Sequence, residues 1–511
     1  MAFNPIIYVR GYAGSQKDVE ETVDDPTYGF NLGSTHIRQE GDGIARKYLF
    51  MGPLARLIKD WGYIDVVNAG NQSLDKTLED PWVPKKTIWI YRYYDPTSKT
   101  FDDQPSIERW TVEQAAENLA ALIKDVKKLT GADKVNLIAH SMGGLVCRSL
   151  IQNIYRRNGK SIAADNIDKF FTYGTPHAGI NFALGFGMIE QLRDALGINE
   201  SDTFGPQRLY EILTGKKTKV PKTFDPRDLD GSFPPERIFC IVGTNASDYS
   251  VAYGASRTAV GPQSDGLVQI ENAYVYGANR AYIHRSHSGR YGMVNSEEAY
   301  ENLQRFFFGD SRVKIVVCDF QLDFSRQDGN DIAYQLELQI AVRGLPVLMH
   351  NRTLAHYCAY TLSVEDKEKK ADYERLSKDG LPLFTSFLIS SRGRDNTMRI
   401  MLRLGCYKQL HRKGFLNLSD HIERLPAWND YLIIDLTIAT EQQRKDTGQI
   451  FTARYTWHSQ GDQPNTEMKP ADKQSRPGEV HLTADLPLAA QSVFGKLARI
   501  RFETSHWDGA S

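Results

Sequence analysis

The run Val135-Asn136-Leu137-Ile138-Ala139-His140-Ser141-Met142-Gly143-Gly144-Leu145 constrains this chain more than any other stretch of it. A short apolar strand leads into a serine whose neighbours two positions away on either side, Ala139 and Gly143, are both small. A strand that turns abruptly into a helix demands small residues there, because larger side chains would strike the adjoining backbone. Residues 144–151 then read as the start of the helix. The usual residue at the first small position is glycine, and Ala139 keeps the smallness that the turn needs. Such a strand-turn-helix lifts one hydroxyl clear of the backbone, which suits attack on an acyl carbon.

A serine hydroxyl at its ordinary pKa is a poor nucleophile and needs an imidazole base held by a carboxylate. On this kind of scaffold the partners follow the serine in the order acid, then histidine. The acid candidate is Asp265, on the glycine-containing turn Gln263-Ser264-Asp265-Gly266-Leu267-Val268, with Asp248 as the alternative nearer the end of strand 237–243. The base candidates are His287 and His284, on the loop that follows the apolar run Ala281-Tyr282-Ile283. His287 lies deeper in that loop beside Ser288 and Gly289 and is preferred, which leaves His284 a structural role. An oxyanion needs two backbone N–H donors. Met142, after the serine, and Tyr12, in Arg10-Gly11-Tyr12-Ala13-Gly14 after the first strand, are placed to supply them. His177, in Gly174-Thr175-Pro176-His177-Ala178-Gly179, precedes the acid and so reads as a pocket-wall or turn residue. No metal-ligand spacing, dinucleotide fingerprint or phosphate loop occurs, and no cofactor is expected.

Strand-like runs at 5–9, 87–91, 134–139, 169–174 and 237–243 alternate with helical patterns, which predicts a mostly parallel sheet covered on both faces. Thr111 with Gln114 forms a capping box ahead of a helix that Gly131 stops. Residues 180–235 interrupt the rhythm and read as a lid insertion whose apolar stretch carries Phe182, Phe186 and Met188. Beyond a boundary near residue 310 the texture becomes short alternating runs separated by turns, which predicts an antiparallel β-sandwich over 311–511. The charged stretch 364–380 reads as a short helix or surface loop, and 462–478 as a mobile loop.

The 511 residues exceed one ordinary core. A formal net charge of -1 with no basic run argues against nucleic acid as a partner. Five scattered cysteines, an odd number with no CxxC pair, argue against a disulfide framework and fit a reducing compartment. The first residues carry no secretory pattern and no apolar stretch spans a bilayer, so a cytoplasmic location is expected, or export by a route that reads no leader.

Four motifs in order, Arg10–Gly14, Ala139–Gly143, Gly174–Gly179, and Asp265 with His287, resemble the lipase branch of the α/β-hydrolases. Some bacterial lipases carry the same Ala-His-Ser-Met-Gly spelling. The resemblance covers residues 5–308 and departs at Arg10, where lipases commonly have histidine. It implies an α/β-hydrolase fold and a serine mechanism: Ser141 attacks an ester carbonyl, His287 takes the proton, Asp265 orients the imidazole, and Tyr12 and Met142 bind the oxyanion. The implied substrate is a lipid or another acyl ester, with a membrane surface or a protein partner for residues 311–511. A soluble carboxylesterase, thioesterase or amidase stays open, as does a binding protein on a hydrolase scaffold.

Overall fold

Runs that are apolar at successive positions, rather than alternately, become strands buried on both faces of one parallel sheet. The computed structural model describes residues 3–11, 35–39, 45–49, 52–66, 83–91, 93, 110–157, 160–181, 204–249, 260–288, 292–325, 331–389, 397–412, 421–439, 442, 451–471 and 479–507. Its sheet comprises β1 (Ile6–Val9), β2 (Ile64–Val66), β3 (Thr87–Tyr91), β4 (Val135–His140), β5 (Ile167–Tyr173), β6 (Ile238–Gly243) and β7 (Asn279–Ile283). They lie in the order β7-β6-β5-β4-β1-β3-β2, and each neighbouring pair is parallel. The register sets Val9 beside Ala139 and His140 beside Tyr173. The carboxyl ends of β1, β4 and β5 are therefore level, which is where such sheets bind ligands.

Helices cover this sheet by burying one stripe each. α1 (Pro53–Trp61) buries Leu54 and Leu57. α2 (Val112–Thr130) starts on the Thr111–Gln114 capping box and stops at Gly131 in the left-handed region. It buries Ala115, Leu119, Ile123 and Val126 in the same core as Leu145 and Leu150. The helix after Ser141, α3 (Gly143–Ser149), passes into one π turn, Leu150–Ile154. α4 (Pro206–Thr214) is tied to α2 by Arg208, whose guanidinium forks onto both carboxylate oxygens of Glu113. The strands and the helix of the α/β-hydrolase fold are thus present in their expected order.

The chain divides into two compact units, one ending at Leu303 and the other running from Gln304 to Asp508. The division falls inside helix α5 (Glu297–Phe308) rather than after it, because the last turn packs with the second unit. Phe306 faces Phe387 and Trp507, and the Trp507 indole N–H donates to the Phe306 carbonyl at 2.8 Å.

The second unit is built from two antiparallel sheets. One contains β8 (Ser311–Cys318), β12 (Leu381–Leu388), β16 (Glu479–Asp485) and β17 (Arg499–His506). The other contains β9 (Asp331–Val342), β10 (Leu348–Arg352), β11 (Tyr360–Ser363), β13 (Thr397–Arg412), β14 (His421–Ile438) and β15 (Phe451–Trp457). Strand β9 buries alternate residues along much of its length, as a half-buried strand must. Ring contacts between His350 on β10 and Phe384 on β12, at 4.8 Å, join the two inner faces. The antiparallel strands expected beyond residue 310 are present, and β13 and β14 are the longest of those described. The 364–380 stretch holds a helix, Lys367–Asp379, capped by Asp366. The 462–478 stretch is not wholly a loop: Thr466–Glu467 pairs with β15 and Lys469–Pro470 pairs with β16, so this segment steps from one sheet to the other.

Candidate active site

Among the described residues, Ser141 is one of the few non-glycine residues with positive φ, at 54°. L-residues adopt that conformation only when the surroundings impose it. Here its amide donates to the Tyr173 carbonyl at 2.9 Å, and its carbonyl accepts from Gly144 at 3.0 Å. Gly143 is obligatory, since a Cβ there would lie 2.4 Å from the Val9 carbonyl oxygen. The turn is therefore pinned between the ends of β1 and β5.

The loops after β6 and β7 bring the other two residues to it. His287 Nε2 lies 3.0 Å from Ser141 Oγ, and His287 Nδ1 lies 2.8 Å from Asp265 Oδ2. Both ring and carboxylate are almost wholly buried, at 2% and 1% exposure, so the contacts are made out of water. This geometry is that of Nδ1–H donating to the carboxylate and the serine hydroxyl donating to Nε2. Asp265 Oδ1 accepts from the amides of Leu267, at 3.0 Å, and Val268, at 2.7 Å. The Asp-Gly turn thus holds the carboxylate by contacts separate from the one it makes with the histidine. Gly174, with φ 51°, sits beneath this contact, and a Cβ there would lie 2.9 Å from Asp265 Oδ2 and 3.0 Å from His287 Nδ1.

The alternative pair does not reach the serine. Asp248 accepts from the Asn245 side chain at 2.7 Å, and His284 Nδ1 lies 3.3 Å from the Thr244 hydroxyl. Burial lowers the pKa of His284. Met142 is the N-cap residue of the helix after Ser141. Tyr12, Phe182, Phe186 and Met188, with most of the expected lid, lie outside the described residues.

His177 is not an open wall of the site. Its ring is fully buried, with Nδ1 accepting from Arg148 Nη1 at 3.1 Å and Nε2 facing the Thr172 hydroxyl at 3.3 Å. Burial, with the neighbouring guanidinium, holds its pKa well below the ordinary value. Arg148, also fully buried, reaches the carbonyls of Pro226 and Asp228 as well as Gln152. Its pKa falls to about 10 through desolvation. Arg148 thus ties the helix after Ser141 to the Gly174–His177 turn and to the segment that returns from the insertion.

Tyr249 escapes any reading of the sequence. Its ring stands edge-on to His287 at 5.8 Å, and its hydroxyl pairs with the Ser288 side chain. Burial raises its pKa, so it stays a neutral phenol over the imidazole. No spacing rule finds it, because it belongs to a loop whose path only the fold sets.

The palmitoyl protein thioesterase family matches residues 71–205, a stretch that contains Ser141. Triacylglycerol lipase 2 of Saccharomyces cerevisiae is 31% identical over 175 residues, which is 32% of this chain and 48% of that lipase. A triacylglycerol lipase of Pseudarthrobacter phenanthrenivorans is 42% identical over 67 residues, 13% of this chain and 18% of its own. The chain therefore spans about half or less of the curated relatives it matches. A Listeria innocua gene product of solved structure is 15% identical, covering 60% of this chain and 94% of its own at a TM-score of 0.27. In its motif order, strand order and sequence matches, the chain resembles the lipase branch of the α/β-hydrolases.

Proposed function

We propose that this protein is a serine hydrolase of lipid acyl esters that works through Ser141, His287 and Asp265. The observation that carries the reading is the continuous contact from Ser141 Oγ through the His287 ring to Asp265, at 3.0 and 2.8 Å. Ser141 Oγ attacks the carbonyl carbon while His287 Nε2 takes its proton. Asp265 holds the ring in the tautomer this requires and stabilises the imidazolium that forms. The Met142 amide, joined by that of Tyr12, receives the oxyanion. Collapse expels the alcohol, protonated by His287, and leaves an acyl-enzyme. Water, activated by the same imidazole, then releases the acid.

The lipase similarities favour lipid esters over small soluble ones, and an apolar insertion at 180–235 suits long acyl chains. On this reading the two-sheet unit meets a membrane surface or a protein partner. The experiment is acid release from a panel of triacylglycerols and phospholipids by the wild type and by Ser141→Ala. Release lost in the variant supports the proposal. Undiminished release by the variant removes it. A second reading, an acyl thioesterase, is favoured by the thioesterase family match. A palmitoyl thioester in the same panel distinguishes the two by which acyl bond is cleaved fastest.

A further inference from the structure

His140 immediately precedes Ser141, yet its side chain serves another loop. Its Nε2 lies 3.1 Å from the main-chain carbonyl oxygen of His287, a contact in which the nitrogen must carry the proton. The two imidazoles lie 5.0 Å apart, tilted by 37°. On its other side His140 meets the exit of β1. A Cβ on Gly11 would lie 3.3 Å from His140 Nδ1 and 2.9 Å from the Ser141 Cβ. The ring therefore fills the slot between the Arg10–Gly11 turn and the His287 loop.

From this placement we infer that His140 is a positioning residue: its Nε2–H fixes the height of the His287 loop above Ser141. The inference rests on the mechanism proposed above. The His287 loop is otherwise held on its far side, where the His287 amide donates to the Asp265 carbonyl at 2.9 Å. The near side, toward the serine, has the His140 contact. Without it the imidazole can tilt away from Ser141 Oγ while keeping Asp265. The role requires His140 to remain the neutral Nε2–H tautomer. Desolvation, the adjacent His287 and the Arg10 guanidinium all push its pKa downward and so oppose protonation. An imidazolium at His287 during the reaction adds to that opposition. The side chain has no proton to give or take in the chemistry and acts only through the carbonyl it holds.

The test compares His140→Ala and His140→Gln with the wild type and Ser141→Ala, on a chromogenic butyrate ester and by fluorophosphonate labelling. Gln presents an amide N–H at a reach similar to Nε2. The expected result for His140→Ala is a fall of about 10- to 100-fold in kcat, the scale of a misplacement near 1 Å. KM should change little, labelling should slow by the same factor as kcat, and His140→Gln should recover most of the loss. Equal impairment of the two variants, or a wild-type kcat in His140→Ala, overturns the inference. Turnover that survives in Ser141→Ala instead overturns the mechanism beneath it, so the two failures are separable.

Discussion

The amide of His287 donates to the carbonyl of Asp265 at 2.9 Å, so base and acid are joined through their main chains as well as through their side chains. The pair is assembled as one unit across two loops. Its acid end is further fixed by the amides of Leu267 and Val268.

That double attachment makes Asp265→Asn an informative substitution. The Asn carbonyl can keep both amide bonds at the Oδ1 position, while its NH₂ then faces His287 and favours the wrong tautomer. We expect a loss of about 10⁴-fold in kcat with the fold retained. Steady-state ester hydrolysis alongside a thermal melt checks both halves.

Gly174→Ala should damage the site without touching a reacting group. The residue needs φ 51°, and the added methyl would press on Asp265 Oδ2 and His287 Nδ1. An expected stability loss of about 1–3 kcal/mol follows from the backbone conformation alone. Urea unfolding measures that cost. Fluorophosphonate labelling at a temperature where the variant is folded measures the displacement of His287, and an unchanged labelling rate would refute the steric argument.

Arg148→Met replaces a buried cation that hydrogen-bonds Gln152, His177 and the Pro226 and Asp228 carbonyls. The methylene stem is conserved in volume, but buried acceptors lose their donor. At about 1–3 kcal/mol for each buried group left unsatisfied, a total destabilisation near 3 kcal/mol is expected. Limited proteolysis should show earliest cleavage around residues 221–232, the segment that Arg148 holds.

Acid should weaken the first unit partly through His177. Its folded pKa lies well below the ordinary value because burial and Arg148 disfavour the imidazolium. The unfolded chain takes up that proton below about pH 6.5 and the native state does not. The contribution is therefore fully present above pH 6.5 and is lost as pH falls from there toward the folded pKa, by at most about 1.4 kcal/mol per pH unit. Denaturant unfolding at pH 7 and pH 5 should show a shallower loss for His177→Gln than for the wild type.

The sequence by itself determined the elements and the chemistry that short-range rules control. Small residues around Ser141, the Thr111–Gln114 box, the Asp-Gly turn and the alternation in the second unit are local signals, and each appears in the structure at or near its expected place. The chain order of serine, acid and histidine also pointed to the trio that lies in contact. The loop position favoured His287 over His284, but only the tertiary structure set His287 against the serine and His284 against Thr244. The same holds for His177, which the fold seals against Arg148, for Tyr249 over the His287 ring, and for the service His140 gives to a carbonyl 147 positions away. Contacts between distant segments depend on strand register and loop path, and no spacing along one chain encodes those.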